Sequence, residues 1–194
     1  MGVPDAPPFL RGDRVELHAP SEADAAFVHR ASVDERLWRT GFTPLPRDRA
    51  TVAEFLREEA NADGRVDFLV RVPEADGTDT ESADDPDPEA TRRAGMVSLT
   101  DVDYRRSSAT VGYWLVPAVQ GHGYATEAVG RVLSYAFDTL ALHRIEATVD
   151  APNDPSIGVL ESLGFTHEGT RRAARVLDGD RVDMHDYGLL VDEW

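Results

Sequence analysis

The stretch that most constrains the fold is residues 111–142, VGYWLVP followed by AVQGHGYATEAVGRVLSYAFDTLAL. Residues 111–116 are rich in β-branched and aromatic side chains and predict a strand, which Pro117 ends because it has no N–H to give to a ladder. From Ala125 onward, Ala128, Val129, Val132, Leu133, Ala136, Phe137 and Leu140 recur at the spacing of one helical face. Glu127, Arg131, Ser134 and Asp138 fall on the other face, so an amphipathic helix is expected. Between strand and helix sits Gln120-Gly121-His122-Gly123-Tyr124-Ala125. Its two glycines permit positive φ and close backbone approach, while the first helical turn offers unpaired N–H groups and the positive end of the helix dipole. Such a turn is a cradle for an anion.

Glycine-rich strand-to-helix turns also build nucleotide sites, but the phosphate loop of nucleoside triphosphatases ends in Gly-Lys-Ser/Thr and this chain contains no lysine. A dinucleotide fingerprint needs a third glycine near Thr126, which is missing. The segment from Gln120 to Ala125, between a strand and a long helix, instead resembles the Gln/Arg-x-x-Gly-x-Gly/Ala loop of the GNAT superfamily of N-acetyltransferases. In that family the loop holds the pyrophosphate of acetyl-coenzyme A.

Net charge narrows the partners. The chain carries 36 acidic residues against 20 basic ones, a net −16, and all the basic ones are arginine. An acidic, lysine-free surface is expected of a protein kept soluble in concentrated salt, where a Debye length of about 3 Å at 1 M weakens self-repulsion; a halophilic host is inferred. The same surface should repel nucleic-acid backbones, so no direct nucleic-acid contact is expected. With no cysteine there is neither a disulfide, nor a thiolate metal site, nor a thiol nucleophile. No run approaches 18 apolar residues and no basic region precedes an apolar one at the N-terminus, so no membrane partner and a cytoplasmic location are expected.

At 194 residues a single domain is the natural expectation, 1–194, with residues 1–11 a loose proline-rich arm. Residues 14–18 read as a first strand, and Ser21 caps a helix running to about residue 33, with a further turn over 34–39. Residues 47–61 read as another helix, and 66–72 and 94–102 as antiparallel strands. Residues 73–92 are nearly all acid, proline, glycine and hydroxyl, an acidic insert too poor in apolar surface to order, without the spacing of a calcium loop. Residues 143–150 read as a strand, followed by a short helix with Asp154 at its cap and Pro155 at its first position. Gly164 ends that helix, with Phe165 folding back on Leu160. Asp178-Gly179-Asp180 between two strand runs closes the chain on a hairpin. The order is α+β, built on one mixed sheet.

Asn153-x-x-Ser156, then Leu160-Glu161-Ser162-Leu163-Gly164-Phe165 and Glu168-Gly169, sharpen the resemblance to the Rim-type (RimJ/RimL-like) branch, which acetylates ribosomal-protein N-termini. Gly112-Tyr113, Asp183, Tyr187 and Glu193-Trp194 are similar as well. The resemblance implies a mostly antiparallel central sheet flanked by helices, whose splayed central strands hold acetyl-coenzyme A, and no metal. It implies that the loop Gln120, Gly121, His122, Gly123, Tyr124, Ala125 and Thr126 binds pyrophosphate, and that the main chain of Leu115 and Val116 runs beside the pantetheine. It further implies that Asn153 bonds that arm and that Ser156 faces the sulfur and serves the departing thiolate, with Tyr187 as the alternative proton donor. The amine acceptor is a protein N-terminus, ribosomal proteins included, or a small molecule, and a homodimer is an option. Thr110 and Arg175 stand where some relatives carry a glutamate base, which leaves Glu146, His122, Asp101, Asp103 or a water chain. The missing glutamates also motivate a second reading, a non-catalytic acyl-coenzyme A-binding or regulatory module. The charge carries its own expectation: the melting temperature should rise from dilute buffer to molar chloride, and a flat or falling profile would count against the halophilic reading.

Overall fold

Val66–Pro73 is buried on both faces of the sheet: Phe68, Val70 and Val72 face one core and Leu69 a second on the opposite side, where the buried Asp67 and Arg71 also point. The computed structural model describes residues 7–38, 46–73 and 91–194. In chain order the elements are β1 (Leu10–Arg11), β2 (Glu16–His18), α1 (Ala25–Ser32), α2 (Glu35–Trp38), α3 (Arg49–Glu58), β3 (Val66–Pro73), β4 (Thr91–Asp103) and β5 (Ser108–Leu115). They continue with α4 (Tyr124–Ser134), β6 (Arg144–Asp150), α5 (Asp154–Ser162), β7 (Thr166–Leu177) and β8 (Asp180–Leu190). Among the described residues, eight strands form one sheet in the order β1-β2-β3-β4-β5-β6-β8-β7. Every neighbouring pair is antiparallel except β5 and β6, which are parallel.

That parallel pair is brief. Ser108, Ala109 and Thr110 pair with Arg144, Ile145 and Glu146, after which β5 runs on to Leu115 and β6 to Asp150 without pairing to each other. The two strands therefore splay in the middle of the sheet. The apolar stripe of α4, Ala128, Val129, Val132 and Leu133, is fully buried against the larger core. On the other face Val28 of α1 and Val52 and Leu56 of α3 pack on Leu69 and Met96, with Trp114 at the edge and Phe27 stacked on it.

Local signals account for most ends. Gly164 has φ +86°, its N–H reaches Glu161 O at 3.1 Å, and the Phe165 N–H reaches Leu160 O at 3.0 Å, the two bonds that close a helix on a left-handed glycine. Asp178 and Gly179 both have positive φ, as a two-residue hairpin turn between Leu177 and Asp180 requires.

Several expectations are corrected. Residues 9–11 are no loose arm: the Phe9 N–H bonds Leu17 O at 2.8 Å, Leu10 and Arg11 pair with β2, and the Phe9 ring packs on Phe68 and Tyr135. The outer edge of β2 has backbone groups to satisfy, and this segment satisfies them. Residues 1–6 lie outside the described residues. The acidic insert is shorter than its composition suggests, because Pro73 pairs with Thr91 and Val72 with Arg92; residues 74–90 lie outside the described residues. The helix beginning at Ser21 opens with a 3-10 turn, Glu22–Asp24, where Asp24 Oδ2 accepts the Ser21 N–H at 2.8 Å. The helical run after α4 widens into a π-turn over Tyr135–Thr139, with the Leu140 N–H bonding Tyr135 O at 3.1 Å.

Gly95 lets β4 and β5 lie together at the mouth of the splay. A Cβ there would collide with Trp114 O and stand 2.8 Å from Leu115 Cα, both backbone atoms that cannot swing aside. Gly95→Ala should therefore lower stability by roughly 2–3 kcal/mol, a typical overpacking cost, read as a lower urea midpoint at unchanged slope.

Candidate active site

The cradle is built by backbone geometry. Gly121 and Gly123 have φ of +79° and +80°, a region that resists side chains, and no atom lies within 4 Å of where a Cβ at Gly121 would stand. The first helical bond of α4 is Glu127 N–H to Gly123 O at 3.1 Å, so the N–H groups of Gly123, Tyr124, Ala125 and Thr126 precede the ladder and face outward with the dipole. The Gln120 Nε2 donates to Leu115 O at 2.8 Å, tying the loop to the end of β5. These features suit a phosphate group.

A residue far away in sequence holds the loop in place. Arg14 donates from Nη1 to His122 O at 3.0 Å and from Nε to Glu127 Oε2 at 3.1 Å, and its guanidinium lies 5.2 Å from the centre of the Tyr124 ring. Glu127 Oε1 accepts the backbone N–H groups of Arg14 at 2.6 Å and Val15 at 3.2 Å. Sequence reasoning missed Arg14, since no periodicity links it to a loop more than a hundred residues on.

Two cavities open from the splay. One of about 290 Å³ runs from the cradle along the end of β5 to the start of α5, and is lined by Leu115, Gln120, Gly121, Gly123, Tyr124, Ala125, Thr126, Asn153 and Ser156 among others. A second of about 400 Å³ lies beyond, walled by Asp150, Arg175, Arg65 and Met184. Tyr113, Trp114, Asn153 and Ser156 line both.

At that shared wall a hydroxyl pair forms. The Tyr113 Oη lies 2.8 Å from Ser156 Oγ and 3.1 Å from Ser156 O. Burial pushes the Tyr113 phenol up to about 12, with the Ser156 hydrogen bond partly opposing it, so the phenol keeps its proton at neutral pH. Asn153, not Asp154, caps α5: its Oδ1 accepts the Ser156 N–H at 3.3 Å. Both residue types cap well, so only the backbone path out of β6 decides between neighbours.

Not every expected residue meets the cavities. Val116 lines neither, and its N–H is committed to Ala94 O at 2.8 Å. His122 also lies outside them, exposed, with Nδ1 2.8 Å from Gln120 O and its ring stacked on Tyr124. Tyr187 lines neither cavity; it stands opposite Ala147 with its hydroxyl 3.5 Å from Glu161 Oε1, a later turn of α5 than Ser156. Burial and the adjacent Glu161 carboxylate raise its pKa. Glu146 is bound to Arg144 at 2.9 Å, and Asp103 accepts the N–H groups of Arg105 and Arg106 in a surface turn. Asp101, at φ +52°, lines neither cavity. Among the described residues no cluster suited to a metal ion occurs.

Comparison with known proteins agrees with this geometry. Residues 14–166 match the acetyltransferase (GNAT) domain family. The chain is 34% identical over 188 residues to YokL of Bacillus subtilis, an SPbeta prophage-derived uncharacterized N-acetyltransferase, covering 96% of this chain and 95% of YokL. It is 35% identical over 100 residues to YdaF of the same organism, provisionally named a ribosomal N-acetyltransferase, a match covering 52% of this chain and 55% of YdaF. The chain thus spans about half the length of relatives such as YdaF. In structure it is similar to spermidine N-acetyltransferase from Vibrio cholerae in complex with CoA and spermine, with a TM-score of 0.77 at 22% identity over 93% of this chain and 97% of that one.

Gly123→Val tests the cradle. A β-branched residue at φ +80° is strained, and its Cβ would stand 3.3 Å from Arg14 Nη2. Acetyl-coenzyme A affinity measured by calorimetry should collapse, and an unchanged value would remove the loop from the site.

Proposed function

Since the chain belongs to the GNAT acetyltransferase family, we propose that it is an acetyl-coenzyme A-dependent N-acetyltransferase that acetylates a primary amine by direct transfer. The observation that carries this reading is the meeting of two cavities at one hydroxyl pair, Ser156 Oγ and Tyr113 Oη. A module that only binds a ligand needs one cavity; a transferase needs two that share a wall.

Bound acetyl-coenzyme A supplies the activated acetyl thioester. The N–H groups of residues 123–126, the dipole of α4 and the nearby Arg14 charge receive its pyrophosphate. Leu115 and Asn153 line the path from there to the shared wall. The Ser156 hydroxyl, backed by the protonated Tyr113, is the donor placed where negative charge develops on the leaving sulfur. In this reading Tyr113 takes the part that the resemblance offered to Tyr187.

The finer assignment is to the Rim-type branch, acting in the cytoplasm of a halophilic host on a protein α-amine, a ribosomal-protein N-terminus among the candidates. The name of YdaF and the lysine-free acidic composition support it. An α-amine near pKa 8 is the easiest amine to find unprotonated at neutral pH.

Ser156→Ala should lower kcat and kcat/KM together by about tenfold, the ~1.4 kcal/mol expected of one hydrogen bond made to developing charge, while acetyl-coenzyme A affinity holds. Tyr113→Phe should do likewise, and should delete from the alkaline absorbance titration the phenol that ionises at about 12. Because that pKa is raised above the ordinary value of 10, the protonated Tyr113 contributes stability that is complete below pH 10 and lost as pH climbs through about 12, a loss absent from the Phe variant. Full turnover by Ser156→Ala would sink the role given to the pair.

A further inference from the structure

The second cavity holds one charged group that neither the fold nor the hydroxyl pair uses. Asp150 closes β6, is 3% exposed, and among the described residues neither of its carboxylate oxygens has a hydrogen-bond donor. Its charged neighbour is Arg175, whose Nη1 is 3.4 Å from Oδ2, an ion pair too long for a good hydrogen bond. A desolvated carboxylate without donors is costly to the fold, and such a cost is kept where a ligand redeems it.

The surrounding backbone aims both groups at the cavity. Asp150 stands opposite Met184, so the two share a face of the sheet, and Asp150, Met184 and Arg175 line the same space as Ser156. Arg175 reaches it through a bulge: Arg171 pairs with Met184 but Arg175 pairs with Val182, so β7 carries more residues than β8 across this interval. Within the bulge Ala173 is held at φ +50° by its N–H bond to Asp183 Oδ1 at 2.8 Å. A non-glycine residue persists there only where its neighbours impose it.

We propose that Asp150 receives the ammonium group of the acceptor, whose N–H donors supply the hydrogen bonds its buried oxygens lack, and takes up the proton that the nitrogen must lose before it attacks the thioester, with Arg175 balancing its charge from the hairpin side. This rests on the acetyl-transfer reading for calling the ligand an acceptor. It makes Asp150 the residue that selects cationic primary amines over neutral nucleophiles such as alcohols.

The test uses the full chain without cofactor. Melting in n-butylammonium chloride is compared, at equal ionic strength, with melting in tetramethylammonium chloride, which has the charge but no N–H. Wild-type protein should melt higher in the first salt. Asp150→Asn should erase the difference, while its own melting temperature in the second salt falls only modestly, because the Arg175 side chain left behind is a quarter exposed and reaches water. In turnover, Asp150→Asn should lower kcat/KM roughly a hundredfold, the order expected when one partner of a buried charge pair is truncated. The substrate is the fastest of n-butylamine, alanyl-alanine and spermidine, with KM for acetyl-coenzyme A unchanged. Asp150→Glu, which keeps the charge, should recover part of the loss. A wild-type protein blind to the two salts, or an Asp150→Asn enzyme with wild-type kcat/KM, overturns the assignment. So does a variant that loses acetyl-coenzyme A binding and melting temperature together, the mark of a merely structural carboxylate. Wild-type protein that distinguishes the salts but acetylates none of these amines refutes acetyl transfer and leaves the ammonium site standing.

Discussion

The parting of β5 from β6 after three paired residues is the constraint on which the rest of the molecule depends. A strand pair in the middle of a sheet ordinarily bonds along its length, because unpaired backbone groups there are costly. Here the closed end is pinned, with the N–H groups of His143 and Arg144 both reaching Ser107 O. Toward the open end Gln120 secures the β5 side through Leu115 O, and Tyr113 of β5 crosses the gap to Ser156 of α5. The wedge so held leaves strand edge exposed to an extended ligand, which can bond to it as an added strand would.

A second constraint is electrostatic. For a chain of net charge −16 to bind a polyanion, positive potential must be gathered at one place. The N-terminus of α4 does so with backbone dipoles, which need no basic residue and suit a lysine-free chain. Glu127 in the first turn of that helix is spent on Arg14, so the acid that would oppose a phosphate is neutralised by the arginine that braces the loop. Because Arg14 leads directly into β2, the cradle is tied to the outer half of the sheet as well as to β5.

Much of the fold was legible because its signals are short. The stripe of α4, the glycine stop at Gly164 and the Asp178-Gly179 turn each depend on residues within a few positions of one another. The cradle was legible for the same reason. Where two neighbouring residues satisfy one rule equally, local reading chose wrongly, as with Asp154 over Asn153 at the cap of α5. Composition misled at Phe9, Leu10 and Arg11, where prolines suggest a loose arm but aromatic packing and a vacant strand edge order the chain.

Most helices and strands, the anion-binding turn and the α+β order can be read from the residues alone, since they follow from side-chain period and backbone freedom over one turn or one strand. Only the tertiary structure decided which tyrosine meets Ser156, which arginine braces the loop and which carboxylate is buried beside the second cavity. Tyr113 and Tyr187 are equivalent as residues; strand register and the tilt of α5 bring one hydroxyl to Ser156 and the other to Glu161. Arg14 with Glu127, and Asp150 with Arg175, are pairs made by closing long loops through the sheet, and nothing periodic in the chain records which distant residues such closure will join.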